Sequence, residues 1–490
     1  MFLNSSFKRF ISIAIILILR TAVLCGTEQN RANNVQKRFT LMGLGDSITQ
    51  GGEGFESYLY PLWEKLFTAG YQFEFIGPNS TECRIGTLMN AGFRGKNAEF
   101  LDQCIDSIYR KYPANIVLLH TGHNHFDTEK PVIGIIAAQE SIIKKIIAIN
   151  PNVKILVAQV IPSTKLPKYS YINELNENIL LMVGRINNKN VILVNQGKDF
   201  DCTKYTINDQ VHPNNAGAEK IAEVWFQSLK KMLSSSEQIF HPEIISYKKI
   251  GNVDLKLHIF KPEHLKQGEH YPVIVYFFGG GWRVGTPLQF YRECAYYASK
   301  GMIAISAEYR ISFLHKTTPF ESVEDARDVI KWLRKNAEKL NIDPKRIAAA
   351  GASAGGQLAA VTGIITKDSS NISSKPNLLV LYYPVIDNGE GGFGPTDMKR
   401  RYREISPLHN IDKSAPPTLF IVGTKDTAIP VKTAQEFYNR MNKNGVYCEL
   451  HLFKGAGHPI FQYRNNLTKE YYTIQSITNK FLFKYGFLNK

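Results

Sequence analysis

Twice along this chain, short apolar runs alternate with longer stretches of helical periodicity, and the alternation is interrupted once. In the first series the runs Phe39 to Leu44, Phe73 to Ile76, Ile116 to His120, Lys154 to Val160 and Val191 to Asn195 have the length of buried strands. Between them, Ala98 to Tyr112 and Val132 to Ile149 carry apolar residues at helical spacing. Strands that alternate with helices imply a parallel sheet with helices on its faces, because a parallel connection needs a long crossover. The polar run Ser234, Ser235, Ser236, Glu237 then breaks the pattern, and beyond Pro242 a second series begins. Its strand candidates are Tyr247 to Lys249, Asp254 to Phe260, Val273 to Phe278, Ile303 to Ala307, Ile347 to Ala350, Leu378 to Tyr382, Leu419 to Val422 and Glu449 to Phe453. The expected fold class is therefore α/β: two three-layer, parallel-sheet domains, residues 38–233 and 244–490, joined by a linker over residues 234–243.

Composition agrees with two folded domains. The 490 residues are 44% hydrophobic and 21% charged, ordinary globular usage that excludes a disordered, collagen-like or coiled-coil chain. The net charge of +16 comes from scattered lysines and arginines, not from clusters, so it argues for a basic surface and against a nucleic-acid-binding role. The six cysteines, Cys25, Cys83, Cys104, Cys202, Cys294 and Cys448, form no CxxC pair and no zinc-type spacing with histidine, so neither a metal nor another cofactor is expected. A Cys83 to Cys104 bridge is left open. Residues 1–26 have Lys8 and Arg9 ahead of an apolar run from Ile11 to Leu19, the layout of a secretory signal peptide and too short for a span. Export with removal of the leader is the expectation; a retained anchor or lipoprotein at Cys25 is the weaker alternative.

In the first domain the strand Phe39 to Leu44 runs directly into Gly45-Asp46-Ser47-Ile48-Thr49. Ligands of open α/β sheets sit at the carboxyl ends of strands, so Ser47 stands where a nucleophile belongs. Downstream, Asp209 and His212 are three residues apart in Asp-Gln-Val-His-Pro, a spacing that lets the carboxylate orient the imidazole on one turn. Gly95, in Ala-Gly-Phe-Arg-Gly, and Asn124, in Thr-Gly-His-Asn, offer donors suited to an oxyanion. Each feature alone is a common turn or loop start. In the order Ser, Gly, Asn, Asp-x-x-His they resemble the SGNH/GDSL hydrolase superfamily over Arg38 to Met232, a flavodoxin-like fold. The stretch from Leu44 to Gly77 looks most like secreted carbohydrate acetylesterases. The resemblance implies Ser47 as nucleophile, Asp209 and His212 as its partners, and Ser47 N–H, Gly95 N–H and Asn124 as oxyanion donors. It departs from the family at His125, where an Asp usually follows the Asn; that histidine either tunes a pocket or fills one, and filling is the simpler reading.

In the second domain the strand Ile347 to Ala350 ends in Gly351-Ala352-Ser353-Ala354-Gly355, followed by a helical stretch from Gln357 to Ile365. This is G-x-S-x-G in the strand, turn and helix setting that a nucleophile elbow requires. Upstream, Val273 to Phe278 leads to Gly279-Gly280-Gly281-Trp282, whose N–H groups can face an oxyanion together with that of Ala354. Downstream come Asp426, after the strand Leu419 to Val422, and His458, after Glu449 to Phe453. These residues resemble the α/β-hydrolase superfamily, nearest the hormone-sensitive-lipase-like and hemicellulose esterase branches, over Tyr247 to Phe483. The likeness implies Ser353 as nucleophile, His458 as base, Asp426 as the acid and Gly280, Gly281 and Ala354 as oxyanion donors. Asp387, after an earlier strand, is the competing acid and is read as a loop cap. Phe278 stands where the family carries the His of a His-Gly-Gly-Gly loop, so the bonds bracing that loop must differ. Tyr309, Arg310, Asp325 and Asp328 are read as structural polar groups, outside the site.

Both halves thus carry the parts for acyl transfer to water. The expected function is an exported, bifunctional serine carboxylic-ester hydrolase, of acetylxylan esterase type, whose partner is an acetylated or otherwise esterified polysaccharide or oligosaccharide. The alternatives are a lipid or small-ester hydrolase, or one catalytic domain joined to a degenerate carbohydrate-binding one. A peptidase is disfavoured because no propeller-like repeat precedes the second domain.

Overall fold

The structure, a computed structural model, describes residues 39–489 apart from 53, 234–239, 267, 366–370, 395 and 462–468. The expected leader and most of the expected linker lie outside the described residues.

The N-terminal sheet has seven strands: β1 (Phe39–Gly45), β2 (Phe73–Phe75), β3 (Asn79–Cys83), β4 (Gly86–Gly92), β5 (Ile116–His120), β6 (Lys154–Gln159) and β7 (Val191–Asn195). Their order is β3-β4-β1-β5-β6-β7, with β2 also pairing β1, and every pair is parallel except β3 with β4. β5 is buried at every position, as its unbroken apolar run requires. Helices Ala98–Lys111 and Val132–Ile149 cover one face through Leu101, Ile105, Ile135 and Ile142. Helices Leu59–Thr68 and Asn215–Met232 cover the other through Leu62, Leu66, Ile221 and Trp225. The chain leaves β1 with β4 on one side and β5 on the other, which opens a crevice at the carboxyl end of β1.

The C-terminal sheet has eight strands: β8 (Glu243–Ile250), β9 (Val253–Phe260), β10 (Tyr271–Phe277), β11 (Ile303–Ala307), β12 (Ile342–Ala352), β13 (Leu378–Tyr382), β14 (Thr418–Gly423) and β15 (Cys448–Phe453). The order is β15-β14-β13-β12-β10-β11-β9-β8. Helix Ala354–Ile364 is buried at all of its positions, packed between the sheet and its neighbours, so it shows no amphipathic stripe.

Both sheets are mixed, mostly parallel, with helices on both sides. Three pairs depart from the expected parallel sheets: β9 runs antiparallel to β11 across the sheet, and the other two are hairpins. The β3–β4 and β8–β9 connections are two residues long, and links that short can only make hairpins.

The two domains meet along an aromatic seam. Trp63 stacks on Phe67 with ring centroids 5.0 Å apart, Phe67 on Phe240 at 6.0 Å, and Phe240 meets Tyr291 of the C-terminal domain edge-on at 5.8 Å. Phe67 therefore belongs to the C-terminal core cluster. The bridge left open between Cys83 and Cys104 is not formed: Cys83 lies against the Gly86 carbonyl and Cys104 against that of Phe100. Arg310 pairs with the buried Asp325 at 2.8 Å, and Lys248 reaches both Asp325 and Asp328, which are structural bonds. Among the described residues, no helix is long and apolar enough to cross a membrane.

Candidate active sites

Three loops leave the carboxyl ends of neighbouring strands in the N-terminal domain, and they carry Ser47, Gly95 and Asn124. The pairings Gly45 with Gly92 and Gly45 with His120 set those loops side by side. A Cβ at Gly45 would strike the His120 carbonyl, so the end of β1 lies too close to β5 for any larger residue. Asp46 then caps the short helix Ser47–Gln50, its Oδ1 accepting the Ile48 N–H at 3.0 Å, and the turn aims Ser47 into the crevice.

Ser47 Oγ lies 2.8 Å from His212 Nε2, and His212 Nδ1 bonds Asp209 Oδ2. The other Asp209 oxygen accepts the N–H groups of Val211 and His212, both at 2.9 Å, across a turn in which Gln210 adopts a φ of 61°. Partial burial works to raise the Asp209 carboxyl, but the bonds from the His212 ring and the two N–H groups outweigh it and hold the acid below its ordinary range. Phe55 stacks on the imidazole at 4.4 Å. The Asn124 amide donates to the Lys96 carbonyl at 2.8 Å, which ties it beside Gly95, a residue with a φ of 71° and open space where a Cβ would be.

His125 fills a structural place: its two ring nitrogens bridge Glu99 at 3.0 Å and Glu129 at 3.1 Å. The residues that motif reading passed over are Asp46, His120 and His123, all buried and clustered, with His123 Nδ1 4.0 Å from Asp46 and its ring 5.8 Å from that of His120. Burial raises the Asp46 carboxyl, pushes His120 down to about 3 and lowers His123, whose Nε2 bonds the Ile161 carbonyl at 2.9 Å. Both histidines are therefore neutral at pH 7. Their signal was the crowding of three histidines into positions 120 to 125.

The C-terminal site is assembled from four loops. Ser353 sits at the turn from β12 into helix Ala354–Ile364 with φ 54° and ψ −121°, a strained conformation that lifts the hydroxyl clear of the sheet. Glycines flank it of necessity, since a Cβ at Gly355 would collide with the Phe277 carbonyl and one at Gly351 with the Gly355 carbonyl. Ser353 Oγ lies 2.9 Å from His458 Nε2, and His458 Nδ1 lies 2.7 Å from Asp426 Oδ2. The remaining Asp426 oxygen accepts from Ala428 N–H at 2.9 Å and Ile429 N–H at 2.8 Å. Asp387 turns elsewhere, capping Gly389 N–H at 2.8 Å with His409 Nδ1 at 3.8 Å, which is the loop-cap role expected of it.

The glycine loop is braced without the family's histidine. Phe278 stacks on Tyr309 at 4.1 Å, and the Tyr309 hydroxyl donates to the Phe278 carbonyl at 2.7 Å. Gly279 N–H is taken by Gln289 at 2.7 Å, and Trp282 Nε1 donates to Gln357 at 3.2 Å. Gly280 and Gly281 have φ of 132° and 62°, and among the described residues no protein acceptor takes their N–H groups. Those groups remain available, with Ala354 N–H at the start of the helix. A cavity of about 350 Å³ opens beside Asp426, walled by Asp387, Phe393, Thr427, Ile429 and Pro430. Among the described residues, no cluster of three or more His, Cys, Asp or Glu is placed to hold a metal ion.

Residues 44–220 match the GDSL-like Lipase/Acylhydrolase family, and residues 257–400 match the BD-FAE family. Esterase LipC of Mycobacterium tuberculosis is 29% identical over 219 residues, 38% of this chain and 52% of that protein. Carboxylesterase NlhH of the same species is 32% identical over 138 residues, 27% of this chain and 40% of that one. The chain thus spans about half the length of LipC and less of NlhH. A solved thermophilic esterase of Thermogutta terrifontis, Est2, is 38% identical, covering 50% of this chain and 93% of that one with a TM-score of 0.48. Families and curated relatives together support ester hydrolysis.

Proposed function

We propose that this chain, which joins a GDSL-like lipase/acylhydrolase domain to an α/β-hydrolase domain, hydrolyses carboxylic esters at two sites. The observation that carries the reading is the same three-part chain found twice: a serine hydroxyl on an imidazole whose second nitrogen is held by a carboxylate. In each site the serine Oγ attacks the ester carbonyl while Nε2 of His212 or His458 takes its proton. Asp209 or Asp426 fixes the tautomer and stabilises the imidazolium. The oxyanion is met by Gly95, Asn124 and Ser47 N–H in one site and by Gly280, Gly281 and Ala354 in the other. The imidazolium then protonates the departing alcohol, leaving an acyl-serine. Water, deprotonated by the same histidine, releases the acid and restores the serine.

The substrate class we assign is esterified hemicellulose, with acetyl groups on xylan as the main target, acted on outside the cell. The likeness of the first domain to secreted carbohydrate acetylesterases and the leader-like N-terminus support this reading. Two sites on one chain suit a polymer that carries different acyl groups, since the tether raises the local concentration of the second site once the first has bound. The test is release of acetate from acetylated xylan and of hydroxycinnamate from feruloylated oligosaccharides by the full-length chain and its Ser47→Ala and Ser353→Ala variants. Turnover of short p-nitrophenyl or glycerol esters with no release from either carbohydrate would replace the polysaccharide reading with that of a small-ester or lipid hydrolase.

A further inference from the structure

We propose that the tip of the β3–β4 hairpin in the N-terminal domain is a strut that positions the oxyanion loop of the C-terminal site, with Arg84 as its positioning residue. The inference rests on the reading of Ser353 as an ester-hydrolysing site whose oxyanion donors are Gly280 and Gly281.

The hairpin turns at Arg84 and Ile85, between the paired Cys83 and Gly86. The Arg84 carbonyl accepts the N–H of Gly285, a residue of the other domain. Gly285 has a φ of 121° and lies so close to the start of the glycine loop that a Cβ there would strike the Gly279 carbonyl and the Phe278 ring. The N–H groups of Arg283 and Val284 both return to the Gly280 carbonyl at 3.1 Å, so residues 280–284 form one closed turn that Gly285 directly follows. A hold on Gly285 is thereby a hold on Gly280.

Two ion pairs fix the hairpin to the same segment and its neighbour: Glu82 with Arg283 at 3.1 Å, and Arg84 with Glu308 at 3.4 Å. Glu308 is itself anchored by Lys256 N–H at 3.0 Å.

Packing alone does not immobilise the loop. A cavity of about 340 Å³ lies between the domains, walled by Trp63, Ile85, Gly279, Gly280, Val284 and Leu288, and neither Ser353 nor His458 lines it. A loop with empty space along one wall is held by its bonds, and with phenylalanine in place of the bracing histidine those include the ones from Tyr309, Gln289, Gln357, the Ser312 and Phe313 N–H groups and the Arg84 carbonyl. The last of these comes from the other domain.

The test uses the full-length chain carrying Ser47→Ala, so that only the second site reports. Arg84→Ala with Ile85→Ala keeps the turn, since neither position has a positive φ and Gly86 keeps its φ of 98°, but removes both side chains that seat the tip. Its kcat should fall about 10- to 100-fold with KM changed less than about threefold, because the displaced N–H groups act on the oxyanion and not on the bound ester. Glu82→Arg should fall about threefold or more, and the added Arg283→Glu should restore it. The first site, read in a Ser353→Ala background with the same hairpin change, should stay within about twofold of its parent.

Amide exchange over residues 279–286 gives a readout that needs no substrate, and it should quicken in the hairpin variant. A kcat within twofold of the parent, unchanged exchange in that loop, or equal losses at both sites would each overturn the strut. Failure of the Ser47→Ala parent to turn over any ester would instead strike at the reading of the Ser353 site, while exchange still judged the strut.

Discussion

The two sites reach one arrangement of hydroxyl, imidazole and carboxylate by opposite routes. In the N-terminal domain the acid and base are three residues apart on a single turn, and their side chains keep 33% and 25% of their surface exposed. In the C-terminal domain they are 32 residues apart on separate strand-end loops, and the Asp426 side chain is fully buried. Ser47 opens an ordinary short helix, whereas Ser353 is held in a strained left-handed conformation. A local triad is thus simple to encode and leaves its acid open to water, while a distributed one depends on the whole sheet and buries its acid, the two imidazoles being equally exposed at 25% and 26%. The arrangement of groups is the same; what differs is how much of the fold each site depends on.

The largest effect tests whether there are two sites at all. Ser47→Ala and Ser353→Ala should each remove turnover of one set of esters by about five to six orders of magnitude and leave the other set unchanged. A fluorophosphonate probe should label the parent chain at two positions and each variant at one. Loss of all hydrolysis from either single change would dissolve the comparison into a single site.

Next come the acids. With the first site silenced, Asp426→Asn should cost about four orders of magnitude in kcat, because the imidazole loses its tautomer. Asp387→Asn should change kcat less than about threefold, since its partners are Gly389 and His409. With the second site silenced, Asp209→Asn should cost about tenfold less than Asp426→Asn, because solvent reaches the Asp209 side chain but not that of Asp426 and can stabilise part of the charge there. Equal losses would show that exposure does not distinguish the sites.

The oxyanion loops should separate the sites again, less widely. Gly280 has a φ of 132°, and a Cβ there would strike the Val284 carbonyl, so Gly280→Ala must move the loop and should lower second-site kcat about 100-fold. Gly95 also has a positive φ, 71°, but its Cβ direction is empty. Gly95→Ala meets only the strain of the left-handed conformation, and a loss of about tenfold or less is expected in first-site kcat.

The contrast between the sites also explains what was legible in the sequence. Strands such as Ile116–His120, Ile303–Ala307 and Leu378–Tyr382 have the bounds the apolar runs predicted, because a buried parallel strand is apolar throughout. The site residues could be read because each follows such a strand or falls in a short spacing. The β3–β4 hairpin could not: its residues alternate in burial and are mostly polar, so nothing in Asn79–Cys83 marks it as a strand. The contact from Arg84 to Gly285 has no signal at all in one sequence, since it arises only when two separately patterned domains are packed together. Likewise, the structural place of His125 needs Glu99 and Glu129, which are respectively 26 residues before it and four after it.

The smallest predicted effect falls on the seam between the domains and is read as stability against pH. Glu56, in the loop ahead of helix Leu59–Thr68, has its carboxyl pushed up to about 7 by burial and by the nearby Glu64, against the pull of Arg84. An acid whose folded-state value lies above its unfolded one, 4.5, binds its proton more tightly when folded. The stabilising contribution is then complete below about pH 4.5 and is lost as pH rises toward 7, the reverse of an acid in an ion pair such as Asp209. Above pH 7 the folded protein holds a partly buried charge at a cost on the order of 3 kcal/mol. Glu56→Gln keeps the shape and an acceptor for the Arg84 backbone N–H but never ionises. Its unfolding midpoint should match that of the parent near pH 4.5 and rise above it by a few degrees at pH 8. Because Glu56 belongs to the N-terminal domain and acts on Arg84, any gain at pH 8 should appear in amide exchange at the hairpin tip before it appears at His458. A midpoint difference that shrinks with rising pH would mean that Glu56 is ionised and paired in the folded state, adding a charge contact to a seam that already carries the aromatic contacts of Phe67 and Phe240 and the ion pairs of Glu82 and Arg84.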